Sequence, residues 1–169
     1  MESVLRRPGD RGRYAAQLMA DEDMVLLIGS SDSEFLRVRP IVRAHPDADD
    51  YWDGNWLNTD IELAAGAFRA QYVACLRVDE LVRFRDQLAA LYETLDGQAD
   101  FDSMEHWLSI SVKGDGKGHF NVDCQARDDA RMGNTLKFSL YFDQTQIPRI
   151  LDGLNQTIER FPLIGNRNA

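Results

Sequence analysis

The sequence is short of the residues that build cross-linked, metal-bound or membrane-spanning proteins. Only two cysteines occur among its 169 residues, Cys75 and Cys124, and two isolated thiols do not make the disulfide framework of a small secreted domain. The three histidines are widely separated, and none has the spacing to a second ligand that zinc sites require. No apolar run approaches the ~18 residues of a membrane-spanning helix. We therefore expect a soluble protein of a reducing cytoplasm that holds no metal and no cofactor.

Positive charge is also scarce. The chain has 19 lysines and arginines against 28 aspartates and glutamates, which gives a formal net charge of -9. Phosphates would be repelled by such a surface, so neither nucleic acid nor an anionic membrane is an expected partner. The same charge favours a basic protein partner, although ordinary soluble proteins without such a partner are often this acidic.

The remaining composition is that of one globular domain. Hydrophobic residues make up 44% and charged residues 28%, and the length suits a single substantial core. Residues 1–23 contain breakers at Pro8 and Gly9 and no apolar run long enough for a signal peptide. We predict a loosely ordered extension over residues 1–23 and a single domain over residues 24–169.

Alternation of apolar and polar residues predicts an antiparallel sheet. Six segments show it: 34–44, 56–64, 67–77, 106–113, 119–126 and 134–143. The short apolar run 24–29 is a further predicted strand. A further short edge strand is predicted around Phe101. Two helices follow, one capped by Asp79 and ending near Gly97, the other capped by Thr145 and stopped by Pro162, each with one apolar stripe. The predicted class is α+β: a single sheet of about six to eight strands with both helices on one face, and a plan of meandering strands followed by a helix used twice.

The opposite face of this predicted sheet would be polar. It would carry Arg37, Asn58, Asp60, Glu62, Asn121, Asp123, Gln125, Lys137 and Tyr141. Such a face is either solvated or a broad docking surface. A small-ligand-binding protein or an enzyme that uses Asp123, Tyr141 and His119 is an alternative function, and a deep pocket lined by those three would support it.

The glycine-rich segment from Gly114 to His119 resembles a phosphate-binding loop at first sight. A phosphate loop must be followed by a helix whose N-terminal amides bind the anion. Here a predicted strand follows, so the segment is interpreted as a hairpin turn. Neither cysteine has a helix N-terminus or a basic cluster to activate it as a nucleophile. We therefore predict no catalytic residue.

One loop stands out by composition, because aromatic residues lie among carboxylates within a few positions. The candidate contact residues are Asp47, Asp49, Asp50, Tyr51, Trp52 and Asp53. Exposed aromatics surrounded by acidic residues are typical of an interface that attracts a basic partner. The alternative is that Trp52 and Trp56 cap the end of the sheet and the aspartates are merely solvated.

From Trp56 to Pro162 the chain resembles the WapI family of bacterial immunity proteins. The resemblance rests on the succession of Trp56-Leu57-Asn58, Leu91-Tyr92-Glu93-Thr94-Leu95, Met104-Glu105-His106-Trp107-Leu108, Gly114-Asp115-Gly116-Lys117-Gly118-His119, Gly133-Asn134-Thr135-Leu136-Lys137-Phe138 and Asp143-Gln144-Thr145.

Members of this family neutralise the C-terminal toxin domains of wall-associated, contact-dependent competition systems. The toxin of the founding member is a nuclease that cleaves transfer RNA. The resemblance thus implies a non-catalytic inhibitor of a cognate toxin domain, acting in the cytoplasm. It transfers no toxin-contacting residue, because the matching positions are turns, caps and sheet residues. A weaker alternative is a self-associating structural protein that pairs through the strand of Pro40 or the terminal strand.

Overall fold

The computed structural model of the protein describes residues 26–168, so the predicted extension of residues 1–23 lies outside the described part. The described part contains eight strands and two long helices. The strands are β1 (Leu26–Gly29), β2 (Phe35–Arg43), β3 (Trp56–Ala65), β4 (Phe68–Arg77), β5 (Asp96–Asp102), β6 (Leu108–Asp115), β7 (His119–Arg127) and β8 (Thr135–Asp143). The helices are α1 (Val78–Thr94) and α2 (Ile147–Arg160), the latter preceded by one 3₁₀ turn, Gln144–Gln146. The predicted α+β class is confirmed, and each half has four strands followed by a helix.

The strands form two antiparallel sheets, so the predicted single sheet is wrong. The first sheet has the order β1-β2-β3-β4 and the second the order β5-β6-β7-β8. Helix α1 separates β4 from β5 along the chain, and the side chain of Gln87 in α1 accepts from the backbone N–H of Asp100 in β5 at 2.9 Å. An amide on this strand is therefore satisfied by the helix, not by a strand of the first sheet. The predicted polar face is accordingly divided between the two sheets.

One continuous cluster of buried apolar residues joins both sheets to both helices. The stripe of α1 is buried as the sequence predicts, with Leu81, Phe84, Leu88 and Leu91 inside. Phe84 meets Phe101 of β5 edge to face, with ring centroids 5.9 Å apart. Helices α1 and α2 also pack against each other, and α2 contacts β1. The helices therefore connect the two sheets instead of covering one face of a single sheet.

The two predicted helix caps are wrong by a few residues. Helix α1 begins directly after Arg77, and the carboxylate of Glu80 accepts from the backbone N–H of Arg77 at 3.0 Å and from that of Met104 at 2.7 Å. Burial raises the pKa of Glu80. Before α2, the carboxylate of Asp143 accepts from the backbone N–H of Thr145 at 2.9 Å. The carboxylate of Asp79 is therefore not used as the helix cap and is available for contacts outside the helix.

The glycine-rich segment is the predicted hairpin turn, here between β6 and β7. Asp115 Oδ1 accepts from the backbone N–H groups of Lys117 and His119, and these bonds lower the pKa of Asp115 to about 2. Cys75 lies in β4 and Cys124 in β7 as free thiols. Burial raises the pKa of both thiols, that of Cys124 to about 12, which opposes a role as nucleophile. Neither α1 nor α2, the long helices of residues 26–168, has the length and apolar composition to span a bilayer.

Candidate functional site

The acidic loop, defined here as residues 45–55, joins β2 to β3. Its base is closed by a hydrogen bond from the N–H of Ala44 to the carbonyl of Trp56 at 2.8 Å. Within it, the N–H of Gly54 donates to the carbonyl of Asp50 at 3.0 Å. Asp50 Oδ1 accepts from the N–H groups of Trp52 and Asp53 at 2.8 and 3.0 Å, and these bonds lower the pKa of Asp50. The loop is thus folded on itself in successive turns.

A buried arginine organises the loop from below. Arg77, the last residue of β4, is only 1% exposed. Its guanidinium donates to the carbonyls of Trp52 at 2.6 Å and Tyr51 at 3.0 Å, and to Asp79 Oδ1 at 2.9 Å. Three aromatic rings surround it, with centroids 5.1 to 5.7 Å from the guanidinium carbon: those of Tyr51, Trp52 and Trp56. The positive charge is therefore compensated by one carboxylate, two carbonyl dipoles and the π faces of three rings.

Sequence reasoning missed Arg77. The predicted strands 56–64 and 67–77 leave Ala65 and Gly66 as the turn, a register that would place Cys75 opposite Trp56. In the structure the turn is Gly66-Ala67, and Arg77 lies opposite Trp56. An arginine opposite a tryptophan, next to a loop with two more aromatics, indicates a cation held between rings. The predicted N-cap residue Asp79 belongs to the same cluster, because Asp79 Oδ2 also accepts from the hydroxyl of Tyr51 at 3.0 Å.

The six predicted contact residues fall into two groups. Asp47, Asp49 and Asp53 are exposed, and Trp52 is 50% exposed. Tyr51 is half-buried, with its hydroxyl occupied by Asp79 and its ring edge-on to Trp52, and the exposed Asp50 has a structural role in the turn. The structure therefore leaves three aspartates and one tryptophan accessible for a partner.

The charges of the acidic loop are not neutralised internally. Within residues 26–168, no ion pair involves Asp47, Asp49, Asp50 or Asp53. By contrast, the outer face of the first sheet pairs Arg37 with Glu62, and Arg39 with Asp60 at 2.7 Å. The acidic loop thus carries uncompensated negative charge, whereas the carboxylates of that sheet face are paired.

The alternative site on the polar face does not form a deep pocket. Asp123, Tyr141 and His119 share the outer face of the second sheet, but Tyr141 is 72% exposed and His119 is turned to Asp115, at 3.0 Å. Asp123 lines one open depression, and the other two residues line another. Asp123 is also engaged by Ser139 and Lys113. The geometry is therefore that of a solvated surface. Residues 26–168 also contain no group of three or more metal-ligating side chains placed to hold an ion.

Comparison with protein-family models gives a match over most of the chain. A family model described as the Immunity protein WapI-like family matches residues 26–162. The match begins at the first residue of β1 and ends two residues after α2, so it includes both sheets and both helices. It also includes β1 and β2, which precede the segment from Trp56 to Pro162 on which the resemblance rests. No curated protein matches the chain.

Proposed function

The chain belongs to the Immunity protein WapI-like family, and from this membership we propose that it is a non-catalytic inhibitor that binds and neutralises a cognate toxin domain. The proposed toxin is a nuclease with a basic RNA-binding surface, and the proposed place of action is the cytoplasm. The proposed immunity domain spans residues 24–169, and its contact surface is the acidic loop.

The observation that carries the choice of surface is the combination of unpaired carboxylates with an exposed tryptophan on an internally bonded loop. Exposed unpaired charges attract a basic partner and accelerate encounter. Trp52 offers the kind of aromatic side chain that dominates binding energies at interfaces. Because Arg77 and Asp50 already hold the loop in shape, little conformational entropy needs to be lost on binding.

A nuclease that binds RNA must present cationic groups to phosphates. An acidic inhibitor can occupy the same groups, because four aspartates within seven residues concentrate negative charge as a phosphate backbone does. On the outer face of the first sheet, positive and negative charges are balanced, because its carboxylates are paired with arginines. Charge complementarity therefore favours the acidic loop over the outer face of the first sheet.

The test is binding to the toxin domain encoded beside this protein, measured by biolayer interferometry at low and at physiological ionic strength. The loop variant replaces Asp47, Asp49 and Asp53 with Asn and keeps Asp50, which holds the turn. Its matched control neutralises three other exposed carboxylates, Asp32, Glu93 and Asp152, as Asn, Gln and Asn. Both variants lose three negative charges, so global charge is equal and only location differs.

We expect tight binding by the wild type and association at least about tenfold slower for the loop variant at low salt, with a flatter salt dependence. The control variant should slow association much less. Equal effects in both variants would show that the acidic loop is not the contact surface. Failure of the wild type to bind would refute inhibition of this toxin.

A further inference from the structure

We propose that the C-terminal segment, defined here as residues 162–165, is a second part of the toxin-binding surface. It holds the acidic loop in its binding conformation and adds Leu163 to the apolar part of the surface. This inference rests on the proposed function for its partner, a basic protein surface with an apolar recess. The holding role concerns the free protein alone and is tested separately.

Two side chains tie the C-terminal segment to the acidic loop. Asn55 is fully buried, and its Nδ2 donates to the carbonyls of Tyr51 and Ile164, each at 2.9 Å. Its Oδ1 accepts from the N–H of Ile164 at 2.9 Å. Arg43, at the end of β2, donates to the carbonyls of Gly54 and Pro162. Every one of these bonds ends on backbone, so the segment is fixed independently of its own side chains.

The segment also lies in direct contact with the loop backbone. Gly165 has φ +68, and a Cβ at this position would lie 2.8 Å from the backbone nitrogen of Tyr51. A Cβ on Gly54 would lie 3.2 Å from Cγ2 of Ile164. The approach at Gly165 is possible only with glycine, whereas the contact of Gly54 with Ile164 is merely tight. The backbone of Tyr51 is thus held in two ways. Its carbonyl accepts from Arg77 and from Asn55, which also binds the C-terminal segment, and its backbone nitrogen lies against Gly165 of that segment.

Leu163 is the side chain that this arrangement presents. Its two neighbours, Pro162 and Ile164, are both bonded to Arg43 or Asn55, yet Leu163 is 44% exposed. Backbone dimensions and the Gly165–Tyr51 contact limit the separation of the Leu163 and Trp52 Cα atoms to about 17 Å at most. A standard interface covers about 800 Å² per partner, roughly 30 Å across, so one partner can cover both side chains.

The combined surface has the composition of a protein interface. Leu163 and Trp52 supply apolar area, and Asp47, Asp49 and Asp53 supply charge around it. A protein interface typically has an apolar centre surrounded by a polar rim, and tryptophan is among its commonest energetic hot spots. A basic toxin surface that contains an apolar recess would match both parts at once.

The holding role is tested in the free protein by hydrogen exchange of the loop amides. Ile164→Pro removes the N–H that donates to Asn55 Oδ1. The control, Arg167→Pro, introduces the same residue three positions later, where the described residues show no bond from the backbone N–H. We expect the amides of residues 51–54 to exchange at least about tenfold faster in Ile164→Pro only. Unchanged exchange would overturn the holding role.

The contact role is tested with the purified neighbouring toxin domain. Leu163→Ser is compared with Met132→Ser, since Met132 is a 93% exposed apolar side chain far along the chain, between β7 and β8. We expect dissociation to become about tenfold faster for Leu163→Ser and unchanged for Met132→Ser. Equal dissociation rates would overturn the contact role. A wild-type protein that does not bind would overturn the proposed function and this contact role together, while the exchange experiment still decides the holding role.

Discussion

Replacing Arg77 with Met should destabilise the whole protein as well as the acidic loop. Methionine has a similar length but donates no hydrogen bonds. The change leaves the carbonyls of Tyr51 and Trp52 without their guanidinium donor, and it leaves Asp79 with only the longer ion pair to Arg83 at 3.8 Å. Removing one partner of a buried charge pair typically lowers the free energy of unfolding by about 3–5 kcal/mol. We add nothing further for the lost cation–π contacts, because the effects of contacts within one cluster are not additive.

This loss is large against a total stability of about 5–15 kcal/mol. For a chain of this length, about 3–5 kcal/mol lowers the melting temperature by roughly 6–20 °C. The measurement is urea denaturation followed by tryptophan fluorescence and circular dichroism, combined with calorimetry. The control is Arg69→Met, because Arg69 is exposed and, within residues 26–168, donates only to the carbonyls of Gly66 and Phe68. That variant should change stability by less than about 0.5 kcal/mol. A loss below about 1 kcal/mol for Arg77→Met would refute the organising role of this residue.

Two further predictions concern the glycine-rich turn and the exposed tryptophan. The folded pKa of Asp115 lies below its ordinary value, so this carboxylate stabilises the fold above pH 4 and the contribution disappears as pH falls toward 2. Asp115→Asn should therefore be less stable than the wild type at pH 7 and should lose less stability on acidification. The measurement is the urea midpoint of both proteins at neutral and at acidic pH. Parallel pH profiles of the two midpoints would contradict this prediction. Trp52→Ala should weaken toxin binding about thirtyfold, the equivalent of about 2 kcal/mol. Its unfolding free energy should change by no more than about 1 kcal/mol, because the ring is half exposed and the backbone carbonyl remains; a dissociation constant within about threefold of the wild type would rule Trp52 out as an anchor.

The local pattern of the sequence predicts most elements of this fold but not their assembly. Alternation identifies most of the buried strand residues, although Phe68 at the start of β4 is 64% exposed, and three-four spacing identifies the stripe of α1. Both patterns depend on neighbours along the chain. The division into two sheets depends instead on which strand, if any, lies beside β4 and β5. Gln87 satisfies an amide of β5 from a helix, an arrangement that no periodicity encodes.

The candidate site shows the same division between local and distant information. The composition of the acidic loop is visible in the sequence, and so is the turn-forming character of Asp50. Its supports are not, because Arg43 bonds to a residue 119 positions away and Asn55 to one 109 positions away. A buried asparagine and a buried arginine look like ordinary loop and strand residues until the chain is folded around them.

The way the loop is supported has a consequence for how its specificity can change. Arg77, Asn55, Arg43 and Asp50 all bond to backbone atoms of the acidic loop. The exposed carboxylates of Asp47, Asp49 and Asp53 take no part in these bonds to the loop backbone, whereas the ring of Trp52 lies against Arg77 and Tyr51. The three aspartates can therefore be exchanged at little cost in stability, because exposed substitutions away from such supports typically change stability by less than about 0.5 kcal/mol. An inhibitor that must match a changing toxin benefits from this separation. Arg77 and Asn55, which hold the loop, are buried, and the exposed aspartates proposed to recognise the partner are free to vary.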